Sequence, residues 1–461
     1  MITTIENKNF NEILRLGLLP KVYVWSVLLE PLLFFVVTQQ GISGVGGNIS
    51  RLLQLIVILG LFFRFLTNSW SSVKIPNPFF YQYKWYFYYL NFIIFSCIYG
   101  FFNGYYSVDF FSDNQSLEQS GFSAFINSQY TRPFFEFFIS IYYFVYFTIL
   151  PRYIINSKEG IDYFLKIFLF TFYLSLLVGV IDYLLVVTIG YEWIPRHLSD
   201  FTHVGARFHG LAGEPRDAFV YLGFGMGMLF LKDIWLNEEK TTSLILASFL
   251  ICMMLTQSSS GFIGLIIATG LIFVYKIPTI PVRYLFSVFL IISIGSVATY
   301  FTVTNSYRTM LYINAIPDAL IAFQNSSELP SLIQAQIVNI YPIWLRFTEI
   351  INLNFLPTIL GTGLGTASLA NSIFFDGYGV HNPFANIIRV VFEAGMIGTL
   401  LFINAFLRPI TTMVKNREVK EKITIFMLFI LGLNFGHRSA TVFIFLGMLL
   451  LIFNYKKEFV R

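Results

Sequence analysis

Long apolar runs recur from one end of this 461-residue chain to the other, and they constrain its fold more than any other feature. A helix needs about 20 apolar residues to cross the ~30 Å hydrocarbon core of a bilayer. Only 12% of the residues are charged and 56% are apolar, which excludes both a soluble globule and a disordered chain. Outer-membrane barrels are excluded because their short alternating strands do not produce continuous apolar runs. The sequence therefore predicts an all-α polytopic membrane protein.

The hydropathy pattern predicts about twelve transmembrane helices in a single transmembrane domain formed by residues 1–461. The turn TQSSSGF makes the seventh and eighth spans a tight helical hairpin. Because Arg64 lies near the end of the second span and the eleventh span is short, eleven or thirteen spans fit the same pattern. The predicted spans are residues 22–39, 52–67, 85–102, 134–150, 162–189, 217–231, 242–256, 260–276, 284–303, 384–407, 423–436 and 440–455.

Lysine and arginine predict the orientation, because they accumulate on the cytoplasmic side of short loops. With both termini in the cytoplasm, 20 of the 30 basic residues fall on the inner side and nine on the outer side. Every lysine except Lys166 is then cytoplasmic, whereas the outer side carries only arginine and all five histidines. Arginine offers a planar fork that suits phosphate, and histidine titrates near neutral pH. We therefore expect an outer site for an anionic group, the alternative being that arginine merely tolerates partial burial better.

Two outer segments are long enough to fold, residues 190–216 and residues 304–383, and we expect them to touch each other in the periplasm. The first contains RFHGLAGEPRDAF, in which Pro215 fits the first turn of the sixth span. Arg216 then stands at a helix N-terminus, where backbone N–H groups favour an anion. Arg207 and Arg216 therefore predict a pocket for a phosphate or a diphosphate, with His209 as a substrate-binding residue. Glu214 is either their ion-pair partner or a carboxylate for proton transfer.

A second group of polar residues surrounds the start of the tenth span. His381 and Asn382 precede the span, and Arg389 and Glu393 lie inside it. The last two are four residues apart, so they share a helix face and can pair. Charges inside a membrane usually face the bundle interior or a wet cavity, so this pair is either a structural lock or part of the substrate site. The upstream glycines of GTGLG do not follow a strand in a βαβ unit, which excludes a dinucleotide site.

The long outer loop supplies two further candidates for diphosphate binding, Arg308 and Arg346. Arg346 stands three residues before Glu349 on a predicted helix, so a surface role explains it equally well. The two cysteines, Cys97 and Cys252, both fall inside predicted spans and indicate no thiolate metal site.

Three segments, in this order, resemble the bacterial O-antigen polymerase and O-antigen ligase families: RFHGLAGEP, LTQSSSGFIGL and ILGTGLGTAS followed by HNPFANIIRVVFEAGMIGTLLF. The resemblance covers roughly residues 200–405. It implies a GT-C-like glycosyltransferase in the bacterial inner membrane, with its active site facing the periplasm and a part in lipopolysaccharide biosynthesis. It also implies a glycan on undecaprenyl diphosphate as substrate, with no metal, cofactor, nucleotide sugar or nucleic acid. Membrane lipids and a chain-length-regulating membrane protein are the other implied partners.

Each candidate residue takes a role under this resemblance. The diphosphate would be held by Arg207, Arg216, Arg308 and Arg346. His381 or Glu214 would transfer the proton, and His381 is favoured because a neutral imidazole accepts a proton near neutral pH. A carboxylate between two arginines, such as Glu214, is a weak base. The predicted substrate-binding residues are His209, Asn382, Arg389 and Glu393.

The sequence departs from the family pattern in two places. The first departure favours a polymerase over a ligase, and the second means that another arginine would have to hold the phosphate. The ligases tend to place nine residues between His-Asn and the following glycine, whereas twelve separate Asn382 from Gly395 here. The family's Thr/Ser turn often continues with an arginine, where this chain has Ser258, Ser259 and Ser260. A secondary transporter or flippase is the remaining alternative, although the sequence shows no symmetry between two halves.

Overall fold

Every regular element that the computed structural model describes is a helix, and the described residues contain no strand. The all-α prediction is therefore confirmed. The predicted ninth span (284–303), His381, Asn382, Arg308 and Arg346 lie outside the described residues. The structure describes residues 17–32, 49–67, 78–106, 130–191, 193–194, 207–237, 243–276, 317, 354–367, 386–436 and 438–459.

The helices are numbered here in chain order. The fourth contains a π-helical stretch, Phe144–Ile149, and a short helical turn, Gly210–Ala212, precedes the sixth. The helices are α1 (Leu18–Leu28), α2 (Ile49–Thr67), α3 (Pro78–Phe102), α4 (Arg132–Ile154), α5 (Lys158–Ile189), α6 (Pro215–Leu236), α7 (Ser243–Leu255), α8 (Ser259–Lys276), α9 (Leu356–Leu360), α10 (Asn386–Met413), α11 (Arg417–Leu433) and α12 (Ala440–Phe459).

Five of these helices are long and apolar enough to cross a membrane: Tyr83–Phe102 of α3, α4, α5, α6 and Arg389–Met413 of α10. Shorter apolar helices occur at Leu18–Leu28, Ile49–Phe63, Gly264–Lys276 and Ala440–Lys456. These lengths and compositions support a helical membrane protein. The count of twelve spans and the orientation of the chain stay predictions.

The helix ends follow from local chemistry. The Ser157 hydroxyl accepts a hydrogen bond from the Gly160 amide at the start of α5, and Gly190 ends that helix with a φ of 70°. Pro215 begins α6, as predicted. Residues 256–258 connect α7 and α8, at the position of the predicted turn, and the tight hairpin stays a prediction.

Helix α6 lies at the centre of the bundle. In its most apolar stretch of 18 residues, 72% is buried, against 50% or less in the corresponding stretches of the other four candidate spans. Its glycines permit this close packing. A Cβ on Gly225 would lie 2.0 Å from the Phe172 ring of α5, and one on Gly223 would lie 2.1 Å from Leu433 of α11. Small residues that let membrane helices approach are a common device, and here they seat α6 between α5 and α11.

Candidate functional site

Helix α10 is broken inside the bundle at Gly395, whose φ of 63° and ψ of −174° are not helical. The break frees backbone carbonyls that the next turn would otherwise use. The Phe392 carbonyl accepts hydrogen bonds from the amide and the hydroxyl of Thr362, both at 2.9 Å. The Glu393 carbonyl accepts one from the Gly363 amide, also at 2.9 Å. The loop GTGLG (361–365) therefore replaces the helical hydrogen bonds that α10 loses.

Three glycines let this loop approach α10. Gly361, Gly363 and Gly365 have φ values of 81°, 100° and 87°, in the region that favours glycine. A Cβ on Gly361 would lie 2.3 Å from the Glu393 carbonyl oxygen, and one on Gly365 would lie 2.8 Å from Cγ of Arg132. Both the backbone conformation and the close contact exclude larger residues here.

Helix α3 and the residues after it hold the other side of the loop. The Tyr106 hydroxyl donates to the Leu364 carbonyl at 2.8 Å, and the Ser96 hydroxyl donates to the Glu393 carbonyl at 2.9 Å. Burial raises the pKa of the Tyr106 phenol well above its usual value, so it stays a neutral donor. Irregular backbone at membrane depth needs protein partners of this kind.

Five buried or partly buried charges meet beside the loop, and we call them the Glu136 cluster: Arg132, Glu136, Arg389, Glu393 and Arg438. Glu136, on α4, is fully buried and receives three guanidinium groups. Its Oε1 lies 2.8 Å from Nη2 of Arg132, 2.9 Å from Nη2 of Arg389 and 2.5 Å from Nη2 of Arg438. Arg438 also donates through Nε to the other carboxylate oxygen at 2.7 Å.

Glu393 completes the cluster from α10. Nε of Arg389 lies 3.2 Å from both of its carboxylate oxygens, so the predicted pairing of these two residues is observed. The Gly365 amide donates to the same carboxylate at 2.9 Å, which joins the cluster to the glycine loop. Arg389 therefore bridges the two glutamates, one on α4 and one on its own helix.

The cluster is unbalanced in charge. Among the described residues, three arginines face two glutamates, and their formal charges sum to one positive charge. A buried carboxylate loses hydration that its partners must replace, and three arginines around Glu136 do so. The Arg438 side chain is 26% exposed, against 8% for Arg132 and 4% for Arg389. Arg438 is therefore the most exposed arginine of the cluster.

The predicted diphosphate residue Arg207 lies against the turn between α7 and α8. It donates through Nε to the Thr256 carbonyl at 3.1 Å and through Nη2 to the Gln257 carbonyl at 2.9 Å. The Phe208 amide donates to the Leu255 carbonyl at 3.0 Å. Arginine at a helix C-terminus satisfies carbonyls that have no helical partner. Two of the family-like segments, RFHGLAGEP and LTQSSSGFIGL, thus pack together, while diphosphate binding by Arg207 stays a prediction.

His209, predicted to bind substrate, is 1% exposed and faces Asp182 of α5. Its Nε2 lies 3.2 Å from the Asp182 carboxylate, and its Nδ1 lies 3.2 Å from the Gly210 carbonyl oxygen. Asp182 also accepts the backbone amides of Trp193 and Ile194 at 2.7 and 2.9 Å. This contact ties both ends of the first outer segment to α5, and the substrate role of His209 stays a prediction.

Glu214 is the residue immediately before α6, and Arg216 is the second residue of that helix. Both side chains have intermediate exposure, and their predicted roles in diphosphate binding and proton transfer stay predictions. The described residues do not include His381, Asn382, Arg308 or Arg346, and the roles of these four residues stay predictions.

Three residues of the Glu136 cluster were not among the predicted site residues: Arg132, Glu136 and Arg438. A usable signal was present in RPFFEFFISIYY, where Arg132 and Glu136 stand four apart in an apolar segment. A charge inside a membrane segment is a functional hypothesis by default. Arg438 gave only the weaker signal of an arginine on the predicted outer side.

A second buried carboxylate, Glu30, lies among α1, α2 and α4 in a group that we call the Glu30 network. Oε2 of Glu30 accepts from Ser50 Oγ at 2.7 Å and from Gln54 Nε2 at 2.8 Å. Its Oε1 lies 2.5 Å from Arg51 Nη2 and 3.1 Å from the Tyr143 hydroxyl. The Arg51 side chain is 37% exposed and its guanidinium lies 5.4 Å from the centre of the Tyr143 ring. This network pairs one carboxylate with one arginine and neutral donors.

Comparison with known proteins adds no relative to this description. No family model, curated protein or solved structure matches the chain.

Proposed function

We propose that the chain is a glycosyltransferase that polymerises oligosaccharide repeat units carried on undecaprenyl diphosphate. The reaction would take place at the periplasmic face of the bacterial inner membrane, as in O-antigen polymerisation. The observation that carries the proposal is the Glu136 cluster, in which three arginines, one of them partly exposed, surround a buried carboxylate. It includes Arg389 and Glu393 and lies beside the glycine loop, and both belong to segments on which the resemblance to the polymerase family rests.

The cluster suits the chemistry of this reaction. A sugar hydroxyl of the acceptor attacks the anomeric carbon of the donor and forms the new C–O bond. The bond from the anomeric carbon to the diphosphate oxygen breaks, and its electron pair leaves with the lipid diphosphate. Negative charge therefore grows on the leaving group in the transition state. Arginines fixed in advance by Glu136 and Glu393 would stabilise that charge without reorganising during the reaction.

The hydroxyl proton must pass to a base, and we assign this role to His381, with Glu214 as the second candidate. We predict that His381→Ala lowers turnover about 100-fold or more, the usual worth of general acid–base catalysis. His381→Gln keeps a hydrogen-bonding group of similar reach without a titratable site, and we expect it to be equally slow. Turnover is measured with saturating lipid-linked repeat units. Near-normal turnover of the Gln variant would move the base to Glu214.

Deletion of the gene tests the proposed activity in cells. Surface polysaccharide is resolved on a gel from the deletion strain and from the strain complemented with the wild-type gene. If the chain is a polymerase, the deletion should leave a lipid core capped with a single repeat unit. Complementation should then restore the ladder of longer polysaccharides on the gel. A bare core together with free lipid-linked polymer would identify a ligase instead. An unchanged ladder would contradict both activities.

One observation favours the transporter alternative. Transporters place substrate sites at broken helices, and α10 is broken at Gly395 within the bundle. The repeated halves that usually accompany such helices have no counterpart in the sequence. If the protein is a flippase, its deletion would leave the cell without any capped core, because the lipid-linked substrate would not reach the outer face. The same gel separates this outcome from loss of a polymerase.

A further inference from the structure

The Glu136 cluster divides into a balanced group of four charges and one additional arginine. Arg132 and Glu136 are four residues apart on α4, and Arg389 and Glu393 are four apart on α10. The contact between Arg389 and Glu136 joins the two pairs. Among the described residues, two arginines and two glutamates would remain without Arg438, and their formal charges would cancel. Arg438 therefore supplies the excess positive charge.

Arg438 also differs from the other arginines in its position. It lies in the turn between α11 and α12, two residues before α12 begins at Ala440, whereas Arg132 and Arg389 lie within helices. Its side chain is the most exposed of the three. A side chain in a turn at the open edge of the cluster can change partners with less rearrangement than one packed inside a helix bundle.

The Glu136 carboxylate presents to Arg438 the same kind of acceptor that a phosphate would. Nε and Nη2 of Arg438 both lie on this carboxylate, at 2.7 Å from one oxygen and 2.5 Å from the other. The Nε contact is a hydrogen bond, and carboxylate and phosphate oxygens are both charged acceptors for a guanidinium donor of this kind. Glu136 keeps Arg132 and Arg389 as partners if Arg438 leaves, so the exchange strands no buried carboxylate.

We propose that Glu136 is a resident substitute for the substrate's diphosphate, and that Arg438 moves from Glu136 to the lipid diphosphate when substrate binds. The proposal rests on the proposed function, because it takes undecaprenyl diphosphate as the anionic part of the substrate. It assigns the diphosphate contact to Arg438, in addition to the arginines predicted from the sequence. Glu136 acts as a positioning residue, since it holds the arginine ready without touching the substrate.

The experiment measures binding of undecaprenyl diphosphate to the full chain purified in detergent, by native mass spectrometry. Undecaprenol, which has the same lipid and no phosphate, serves as the reference probe. We expect Arg438→Gln to weaken binding of the diphosphate about tenfold or more, as loss of a charge-assisted contact implies, and to leave undecaprenol binding unchanged. The matched control is Arg408→Gln, which removes an exposed arginine stacked over Trp85, with 5.4 Å to the ring centre, and should bind as the wild type does.

A second variant covers the case in which Arg438→Gln yields no folded protein. Arg438→Lys keeps the charge but loses the planar fork, so we expect it to fold and still bind the diphosphate several-fold more weakly. Wild-type affinity in whichever variant folds would overturn the role of Arg438. A wild-type protein that does not prefer the diphosphate over undecaprenol would overturn the proposed substrate itself. The variants therefore report on Arg438, and the wild type reports on the proposed function.

Discussion

The Glu136 cluster and the Glu30 network both bury a carboxylate next to arginine, but they differ in charge and in backbone. Glu30 lies in the turn that ends α1, and its partners are one arginine and three neutral donors on α2 and α4. Glu136 has three arginines, and the cluster adjoins a broken helix and a loop of glycines with positive φ. One arginine and neutral donors accompany the carboxylate at Glu30, so the additional arginines around Glu136 are what the proposed function has to explain.

The largest loss of stability should come from removing the carboxylate charge of Glu136, and removal of the charge of Glu30 is the comparison. We predict that Glu136→Gln destabilises the protein by roughly 3–5 kcal/mol, because three arginines lose their counter-charge in a buried site. Glu30→Gln should cost only about 1–2 kcal/mol, because Arg51 is partly exposed and the amide oxygen still accepts hydrogen bonds. Thermal unfolding of the two variants in the same detergent gives the comparison. Equal destabilisation would mean that the two sites are equivalent structural pairs.

A smaller but still large effect is expected from the glycine loop. Gly361→Ala should lower the free energy of unfolding by about 2–4 kcal/mol. It places an alanine in the left-handed region of φ and brings its Cβ against the backbone of α10. Gly270→Ala is the matched control, since no heavy atom lies within 4 Å of its added Cβ on α8. The control should be neutral or stabilising by up to about 1 kcal/mol. A Gly361 variant as stable as the control would show that the loop does not support the break at Gly395.

The smallest effect is expected for Arg51→Lys in the Glu30 network. Lysine keeps the charge beside Glu30, and for a partly exposed pair the change should cost no more than about 1 kcal/mol. The polysaccharide ladder of a strain that carries this variant should match the wild type, whereas Arg438→Lys should shorten the ladder. A ladder shortened by Arg51→Lys to the same degree would place the Glu30 network in the substrate site as well.

The sequence predicts the parts of this arrangement that depend on local spacing. Arg389 and Glu393 pair because four residues bring them to one helix face, and α6 begins at Pro215 because proline fits the first turn. The TQSSSGF segment similarly predicts the short connection between α7 and α8. In each case, the residues that decide the feature are neighbours in the chain.

The sequence does not predict contacts that depend on which helices are neighbours. Glu136 and Arg438 are 302 residues apart, and no local pattern indicates that α4, α10 and the turn before α12 meet. The sequence does not predict the break in α10, and the reason is related. Glycine is common inside membrane helices, and the partners that compensate for Gly395 lie about 30 residues upstream in the glycine loop.

Reconstitution of the purified protein in liposomes tests the central claim most directly. Undecaprenyl-diphosphate-linked repeat units are added, and both glycan length and released undecaprenyl diphosphate are measured over time. A polymerase predicts glycans of increasing length, with one lipid diphosphate released for each new linkage. Lipid-linked repeat units that cross the bilayer intact, with no longer glycan and no released lipid diphosphate, would contradict the account and identify a transporter.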